Sequence, residues 1–111
     1  MKIGIIQAGE DILEEVTEEL EERIATLEIK TAEAEDPIGA IGKARRLASQ
    51  VDVIMMFVEL EKGDEAMRTS FYSGLAQLEA NVTNNIYREI YTNMEEPDVD
   101  ETVENFIEKE F

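Results

Sequence analysis

Four short segments with the composition of strands alternate along this chain with four longer segments in which apolar residues recur every three or four positions. The first and third are apolar runs typical of strands buried in a parallel sheet. The predicted strands are residues 2–7, 27–31, 51–60 and 86–91. The longer segments have the periodicity of amphipathic helices, and in the first of them glutamates occupy the polar faces. The predicted helices are residues 11–27, 36–48, 65–82 and 101–111.

This alternation predicts one α/β domain over residues 1–111, in which helices cover both faces of a four-stranded parallel sheet. The expected architecture is a three-layer α/β/α, flavodoxin-like domain with strand order 2-1-3-4. Residues 51–60 form the most apolar run and predict an interior strand, whereas residues 27–31 alternate in polarity and predict an edge strand. Ligands of such sheets bind at the carboxyl ends of the strands, so the loops after the strands are the expected functional region.

Two helix starts carry residues that commonly cap helices. Asp36 followed by Pro37 predicts an N-cap and a first helical position. Gly39 and Gly42 are poor helix formers and predict a first turn that is irregular or starts later. Asp11 is the expected cap of the first helix.

The chain is strongly acidic, with 27 acidic residues against 10 basic ones and a net charge of −17. A field of this sign repels nucleic acids and anionic membranes, so neither is an expected partner. We interpret the charge as a solvated surface adapted to salt or heat, with a specific cationic partner as the alternative.

No apolar run reaches the ~20 residues of a membrane span and cysteine is absent, which favours a cytoplasmic protein.

Histidine is absent too, so the chain lacks the commonest general acid–base group as well as the commonest thiol nucleophile. Any catalysis must use carboxylates, lysine, arginine or hydroxyl groups. The candidate catalytic residues are Glu59 and Glu61, at the end of the most apolar strand, and Arg68, early in the third helix.

These candidates have alternative interpretations. The acidic loop at residues 59–65 can hold Mg²⁺ or Ca²⁺ or supply a general base, but it also has the composition of an ordinary solvated loop. Arg68 can bind a carboxylate or phosphate through two hydrogen bonds, or it can form an ion pair with Glu61 or Glu65. We expect neither a resident metal nor a cofactor.

The candidate ligand-binding residues lie at the end of a predicted strand or after one. They are Gln7, Gly9, Asp36, Gly63 and Asp64. Glycine at position 9 allows the backbone to approach a ligand closely, and a tight turn is the alternative reason for it. Tyr87 and Tyr91 lie on one side of the fourth strand, where they either stack on a heterocycle or pack in the core or against another subunit.

Several segments carry a resemblance to a known family. The first strand begins Lys-Ile-Gly-Ile-Ile, and residues 36–47 run from an Asp-Pro-Ile-Gly turn into a helix that ends in Arg-Arg-Leu. Ser-Gly-Leu at residues 73–75 and Thr-Asn-Asn-Ile at residues 83–86 follow. In this order and spacing, residues 1–107 resemble the lumazine synthase and archaeal riboflavin synthase superfamily. The resemblance implies a ribitylated pyrimidine or pteridine ligand, sites at subunit interfaces and a pentameric or larger assembly.

The chain departs from that family where the family carries its chemistry. The turn that should bind phosphate reads Gly63-Asp64-Glu65, no histidine follows it, and Lys109 stands in place of an arginine. We therefore expect a divergent member that binds a flavin precursor or related heterocycle at a subunit interface, and a riboflavin-biosynthesis-type transferase if it is an enzyme. The alternative is a non-catalytic oligomeric or regulatory module that kept the scaffold. A flavodoxin-type flavin carrier is disfavoured because the first loop lacks a hydroxyl-rich phosphate cradle.

Overall fold

The computed structural model describes residues 1–111, in which four strands alternate with four helices. The strands are β1 Lys2–Ala8, β2 Glu28–Glu33, β3 Val53–Leu60 and β4 Asn85–Thr92. The helices are α1 Leu13–Arg23, α2 Pro37–Leu47, α3 Glu65–Asn81 and α4 Val99–Glu110. All strand pairs are parallel and the order is β2-β1-β3-β4. The predicted α/β fold and strand order are confirmed.

Two apolar clusters, one on each face of the sheet, join the three layers. Helices α2 and α3 pack over one face, and helices α1 and α4 pack over the other. Consecutive side chains of a strand point to opposite faces, so Met55 lies in the α1–α4 cluster and Met56 in the α2–α3 cluster. The interior strands β1 and β3 are buried on both faces, which is the reason for their continuous apolar sequences.

The edge strand β2 extends two residues beyond the predicted end. Its pairing with β1 continues to the register position that joins Gln7 and Glu33. The backbone ladder continues there although Glu33 is exposed, because strand hydrogen bonds do not require a buried side chain. The predicted edge position of β2 is confirmed by the strand order.

The helices differ from the sequence prediction in three respects: the extent of α1, the effect of the glycines of α2 and the start of α4. Helix α1 is shorter than predicted, because Ile24 is extended with φ −140° and the apolar residues up to Leu27 pack against the core from a turn. The glycines of α2 neither delay nor distort its start: the helix begins at Pro37, and Asp36 accepts a 2.6 Å hydrogen bond from the backbone N–H of Gly39. Helix α4 begins two residues earlier than predicted, capped by Asp98. None of the four helices has the length and apolar character needed to cross a membrane.

Candidate functional site

The loop after β1 meets the ends of β3 and β4 at the carboxyl edge of the sheet, around Gly9. Gly9 has φ +135°, a conformation that side chains other than glycine rarely adopt. A Cβ atom at this position would lie 2.5 Å from the Cβ atom of Glu59 and 2.8 Å from the hydroxyl oxygen of Tyr91. The close approach at Gly9 is therefore made by side chains of the protein itself, which hold the turn against β3 and β4.

Tyr91 lies beneath this turn and is only 4 % exposed. Its hydroxyl oxygen accepts a 3.1 Å hydrogen bond from the backbone N–H of Glu10. Burial raises the pKa of the Tyr91 phenol, and the negative charges of Glu59 and Glu10 act in the same direction. The phenol thus stays protonated at neutral pH. The sequence pattern does not reveal this contact, because Glu10 and Tyr91 are 81 residues apart in the chain.

Gln7 has a structural role at the start of α1. Its side-chain oxygen accepts hydrogen bonds from the backbone N–H groups of Ile12 at 2.8 Å and Leu13 at 3.1 Å. The expectation that Asp11 caps this helix is wrong, since Ile12 occupies the N-cap position and Gln7 supplies the acceptor. The amide nitrogen of Gln7 lies 3.4 Å from a carboxylate oxygen of Asp11 and 3.3 Å from one of Glu33. The side chain of Gln7 is therefore fully engaged within the fold.

Asp36 and Asp64 also cap helices, α2 and α3 respectively. The carboxylate of Asp64 accepts a 3.0 Å hydrogen bond from the backbone N–H of Met67. Gly63, just before it, has φ +92° and faces open space, unlike Gly9. An open depression of about 330 Å³ lies between the starts of the two helices, lined by Ile38, Asp64, Ala66, Met67 and Ser70. Of the five predicted ligand-binding residues, only Asp64 lines it.

Two larger depressions, of about 460 and 590 Å³, lie at the opposite, amino-terminal edge of the sheet. The first is lined by residues at the start of β4, including Asn85 and Tyr87, and by Lys109 of α4. The second lies at the starts of β1 and β3 and is lined by Lys2 and Asp52, among others. None of the predicted site residues lines either depression.

The acidic residues at the end of β3 and in the loop after it do not converge. Glu59 is half-buried against Gly9, whereas Glu61, Asp64 and Glu65 are exposed. Nowhere in the structure do three or more acidic side chains come close enough together to hold a metal ion. The loop therefore has the geometry of a solvated segment.

A carboxyl group with a raised pKa lies instead in β4, at Glu89. Burial is the main cause, and the neighbouring carboxylates of Asp98 and Glu101 add to it. A hydrogen bond from the backbone N–H of Asp98 acts in the opposite direction. Sequence patterns do not indicate Glu89, because it lies inside a predicted strand and not at or after the end of one, where site residues are expected.

Arg68 is half-buried near the start of α3 and takes part in none of the ion pairs of the structure. The ion pair considered with Glu61 or Glu65 does not form. The carboxyl group of Glu95 has a lowered pKa, and hydrogen bonds from the backbone N–H and hydroxyl of Thr92 are the main cause. The positive charge of Arg68 adds a smaller effect, so Arg68 lies close to Glu95. Arg68 thus lies beside the loop between β4 and α4, and no carboxylate of the chain is paired with its guanidinium group.

Tyr87 belongs to the core and not to the site. It packs edge-on against Phe106, with ring centroids 5.6 Å apart, and its hydroxyl donates a hydrogen bond to the carboxylate of Glu110. The two tyrosines of β4 therefore differ: Tyr87 joins α4 to the sheet near its amino-terminal edge, and Tyr91 lies at the carboxyl edge.

No protein-family model matches the sequence, and no curated protein matches it. The structure is similar to solved structures, among them a de novo designed Rossmann fold protein. The two chains are 18 % identical, the TM-score is 0.58, and the match covers 97 % of this chain and 94 % of the designed one. At this level of identity the similarity shows the fold alone, since one fold hosts many unrelated functions. The chain has a Rossmann-like, flavodoxin-like α/β fold.

Proposed function

We propose that this chain is a divergent member of the lumazine synthase and archaeal riboflavin synthase superfamily that binds a flavin precursor or related heterocycle. The observation that carries the proposal is the state of Arg68, which is half-buried at the carboxyl edge of the sheet and unpaired in a chain with 27 acidic residues. An arginine presents five N–H donors in a rigid fork, and those of Arg68 remain available to a ligand. Parallel α/β sheets bind ligands at this edge.

The proposed site lies at an interface between subunits of a homo-oligomer, with a pentamer as the assembly that the family resemblance suggests. In a single subunit the carboxyl edge is open, and Ile38 beside the depression is 44 % exposed. Ligand sites usually bury most of the surface of their ligand. A second copy of the chain that covers this edge would supply the missing wall.

If the protein is an enzyme, we assign it transferase chemistry of the riboflavin-biosynthesis type. Arg68 would stabilise negative charge that develops on the heterocycle, because fixed cations are effective where water is excluded. Glu59 or Glu61 would act as the general base and accept the proton that the reacting substrate releases, since histidine is absent. A cytoplasmic location accords with the absence of cysteine.

The second candidate is a non-catalytic oligomeric or regulatory module. It is favoured by the roles of Gln7, Asp36 and Asp64, each of which accepts hydrogen bonds from the first turn of a helix. Three of the five predicted ligand-binding residues therefore have a sufficient structural reason to be present.

A thermal-shift series tests the proposal. Purified protein is heated with lumazine, riboflavin, FMN or the ribitylaminopyrimidine precursor, at low and at multimolar salt. A ligand at a hundredfold excess over its Kd stabilises the folded state by about 2.7 kcal/mol. We expect a saturable shift with at least one compound and a mass above that of one chain by sedimentation.

The matched variants are Arg68→Ala, which should abolish the shift, and Arg46→Ala, which should retain it. Arg46 is an exposed arginine in the last turn of α2, so this control removes the same charge away from the site. A folded protein that shows no shift with any compound at either salt contradicts heterocycle binding and favours the second candidate. A monomer in the presence of saturating ligand contradicts the interface site.

A further inference from the structure

We propose that copies of this chain associate head to tail, with the outer face of α2 in one copy docked against the outer face of α1 in the next. The α2 face consists of Ile38, Gly42, Arg45 and Arg46. The α1 face consists of five exposed glutamates, which are Glu14, Glu15, Glu18, Glu21 and Glu22. This inference rests on the homo-oligomer of the proposed function and adds to it the two surfaces that join the subunits.

The helices on the two faces of the sheet differ in charge. Helices α2 and α3 together have four basic and two acidic residues, whereas α1 and α4 have two basic and eleven acidic residues. Helix α2 has three basic residues and no acidic one, in a chain with 27 acidic residues. Protein interfaces commonly place a positive patch against a negative one, so the α2 and α1 faces are complementary.

The cations of α2 have no partner inside the chain. Lys43, Arg45 and Arg46 take part in none of the ion pairs of the structure, and the two arginines are exposed. The helix dipole favours a cation in the last turn, but it accounts neither for Lys43 in the middle of α2 nor for the lack of acidic residues. Arg23 in the last turn of α1 differs, because it pairs with glutamates of α1 and α4. The charge of α2 is therefore available to an acidic partner.

Gly42 lies on the same face, and nothing in the fold requires glycine there. Its φ is not positive, and a Cβ atom at this position would meet nothing within 4 Å. Glycine inside a helix is less stable than alanine, so its presence calls for another reason. The close approach of a second molecule supplies one. Ile38, one turn earlier on the same side of α2, is 44 % exposed and extends the contact to the depression at the carboxyl edge.

The chain itself carries the surface that fits. None of the five glutamates of the α1 face forms an ion pair. Acidic residues of α4 are less available, since Glu104 pairs with Arg23 and Glu110 accepts hydrogen bonds from β4. Because α1 and α2 lie on opposite faces of the sheet, one copy can use both surfaces at once. Such a head-to-tail contact closes into a ring or grows into a filament, and a pentamer is a closed ring.

The net charge of −17 does not prevent this contact. At physiological ionic strength, exposed charges more than about 8 Å apart are largely screened from each other. The charges that face each other across the contact therefore decide its strength, and those of the rest of the surface contribute little.

The test reverses the charges of each face and then exchanges them. Sedimentation over a concentration series measures the association of the wild type, Arg45→Glu/Arg46→Glu, Glu18→Lys/Glu22→Lys and the chain with all four substitutions. Each double variant should weaken association by roughly tenfold or more, because it places like charges opposite each other. The fourfold variant has the net charge of the wild type and should recover association, because the exchanged charges match again.

Two further variants separate this contact from general effects. Lys2→Glu/Lys62→Glu changes the net charge as much as the arginine reversal does, at exposed residues outside both faces, and should associate like the wild type. Gly42→Gln should raise the Tm of the chain, because glutamine favours a helix, and yet weaken association severalfold by filling the space for the partner. Arg46→Ala alone leaves two cations on α2 and should weaken association by no more than about fivefold, the range of one exposed ion pair.

Each outcome has a definite meaning. A wild type that stays monomeric at every concentration overturns this inference together with the interface site of the proposed function. An oligomer that responds to neither reversal, or a fourfold variant that stays dissociated, overturns this inference alone. Unchanged association of Gly42→Gln overturns a contact over Gly42. Association that follows the charges in a protein that binds none of the heterocycles supports this inference while the proposed function fails. Growth without a limiting mass supports the contact and contradicts the pentamer.

Discussion

The side-chain oxygen of Gln7 accepts a 2.8 Å hydrogen bond from the backbone N–H of Ile12, so a residue of strand β1 caps helix α1. A second hydrogen bond, from the N–H of Leu13, has a length of 3.1 Å. The first N–H groups of a helix have no partner inside the helix, and this side chain supplies one for two of them. The end of β1 and the start of α1 are therefore fixed to each other by one buried side chain.

Replacing Gln7 by leucine should lower the free energy of unfolding by about 1–2 kcal/mol, the range measured for loss of a helix cap. The reason is that two N–H groups lose their acceptor while the apolar volume is largely kept. Equilibrium urea denaturation measures the change. Gln77→Leu on the exposed face of α3 is the control and should stay within about 0.5 kcal/mol of the wild type. Equal destabilisation by both variants would show that the capping contact contributes nothing.

Gly9 and Gly63 both have positive φ, but only Gly9 is in close contact with other residues. Gly9→Ala should lower the free energy of unfolding by about 2–4 kcal/mol, because backbone strain adds to the overlap with Glu59 and Tyr91. Gly63→Ala should cost about 1–2 kcal/mol from strain alone. Thermal or urea unfolding of the two variants separates the cost of backbone strain from the cost of the overlap with Glu59 and Tyr91. A Gly63 variant as unstable as the Gly9 variant would contradict the role of the contact.

The order of the layers follows from short-range patterns, and this part of the fold was predictable. Interior strands such as β3 are buried on both faces and read as continuous apolar runs, whereas the edge strand β2 does not. The helices are recognised because each buries one face. Burial therefore appears in the sequence as a continuous apolar run in the interior strands and as a period of three to four residues in the helices.

Contacts between distant loops leave no such period. Asn84 has the appearance of a turn residue in the sequence, but its amide donates to the backbone carbonyls of Ala48 at 3.1 Å and Val51 at 2.8 Å. The bond between Tyr91 and Glu10 likewise depends on which loops meet at the carboxyl edge. Gln7 at the end of β1 was predicted to bind a ligand, yet it caps α1, because its buried side chain is the acceptor nearest to the N–H groups at the start of that helix.

The glycines in the middle of helices offer a route to higher stability. Gly42 lies inside α2, and a Cβ atom added there would meet nothing within 4 Å. Gly42→Ala should raise the free energy of unfolding by about 0.5–1 kcal/mol, because alanine loses less backbone entropy in a helix. Gly74→Ala in α3 should gain less, because its Cβ atom would lie 2.7 Å from the Cδ1 atom of buried Ile41. Thermal unfolding ranks the two variants, and a larger gain for Gly74→Ala would contradict the packing between α2 and α3.

The end of α4 is joined to the start of β4 by a group of polar side chains centred on Glu110. Its carboxylate accepts hydrogen bonds from the hydroxyl of Tyr87 and, at 2.8 Å, from the amide of Asn85. Burial, together with the hydrogen bond and negative charge of Glu110, raises the pKa of Tyr87 to about 12. A tyrosine in the unfolded chain has a pKa of about 10.

The folded state therefore holds the Tyr87 proton more tightly than the unfolded state does. The resulting stabilisation is fully present below about pH 10 and is lost as the pH rises from about 10 to about 12. Other groups also titrate in this window, so the measurement compares urea denaturation of the wild type with that of Tyr87→Phe at a series of pH values. Across that window the free energy of unfolding of the wild type should fall by roughly 2 kcal/mol more than that of the variant.

The exposed Tyr72 provides the control, since Tyr72→Phe should keep the pH dependence of the wild type. If the wild-type and Tyr87→Phe curves run parallel across this range, the contact between Tyr87 and Glu110 does not hold α4 to the sheet in the way described.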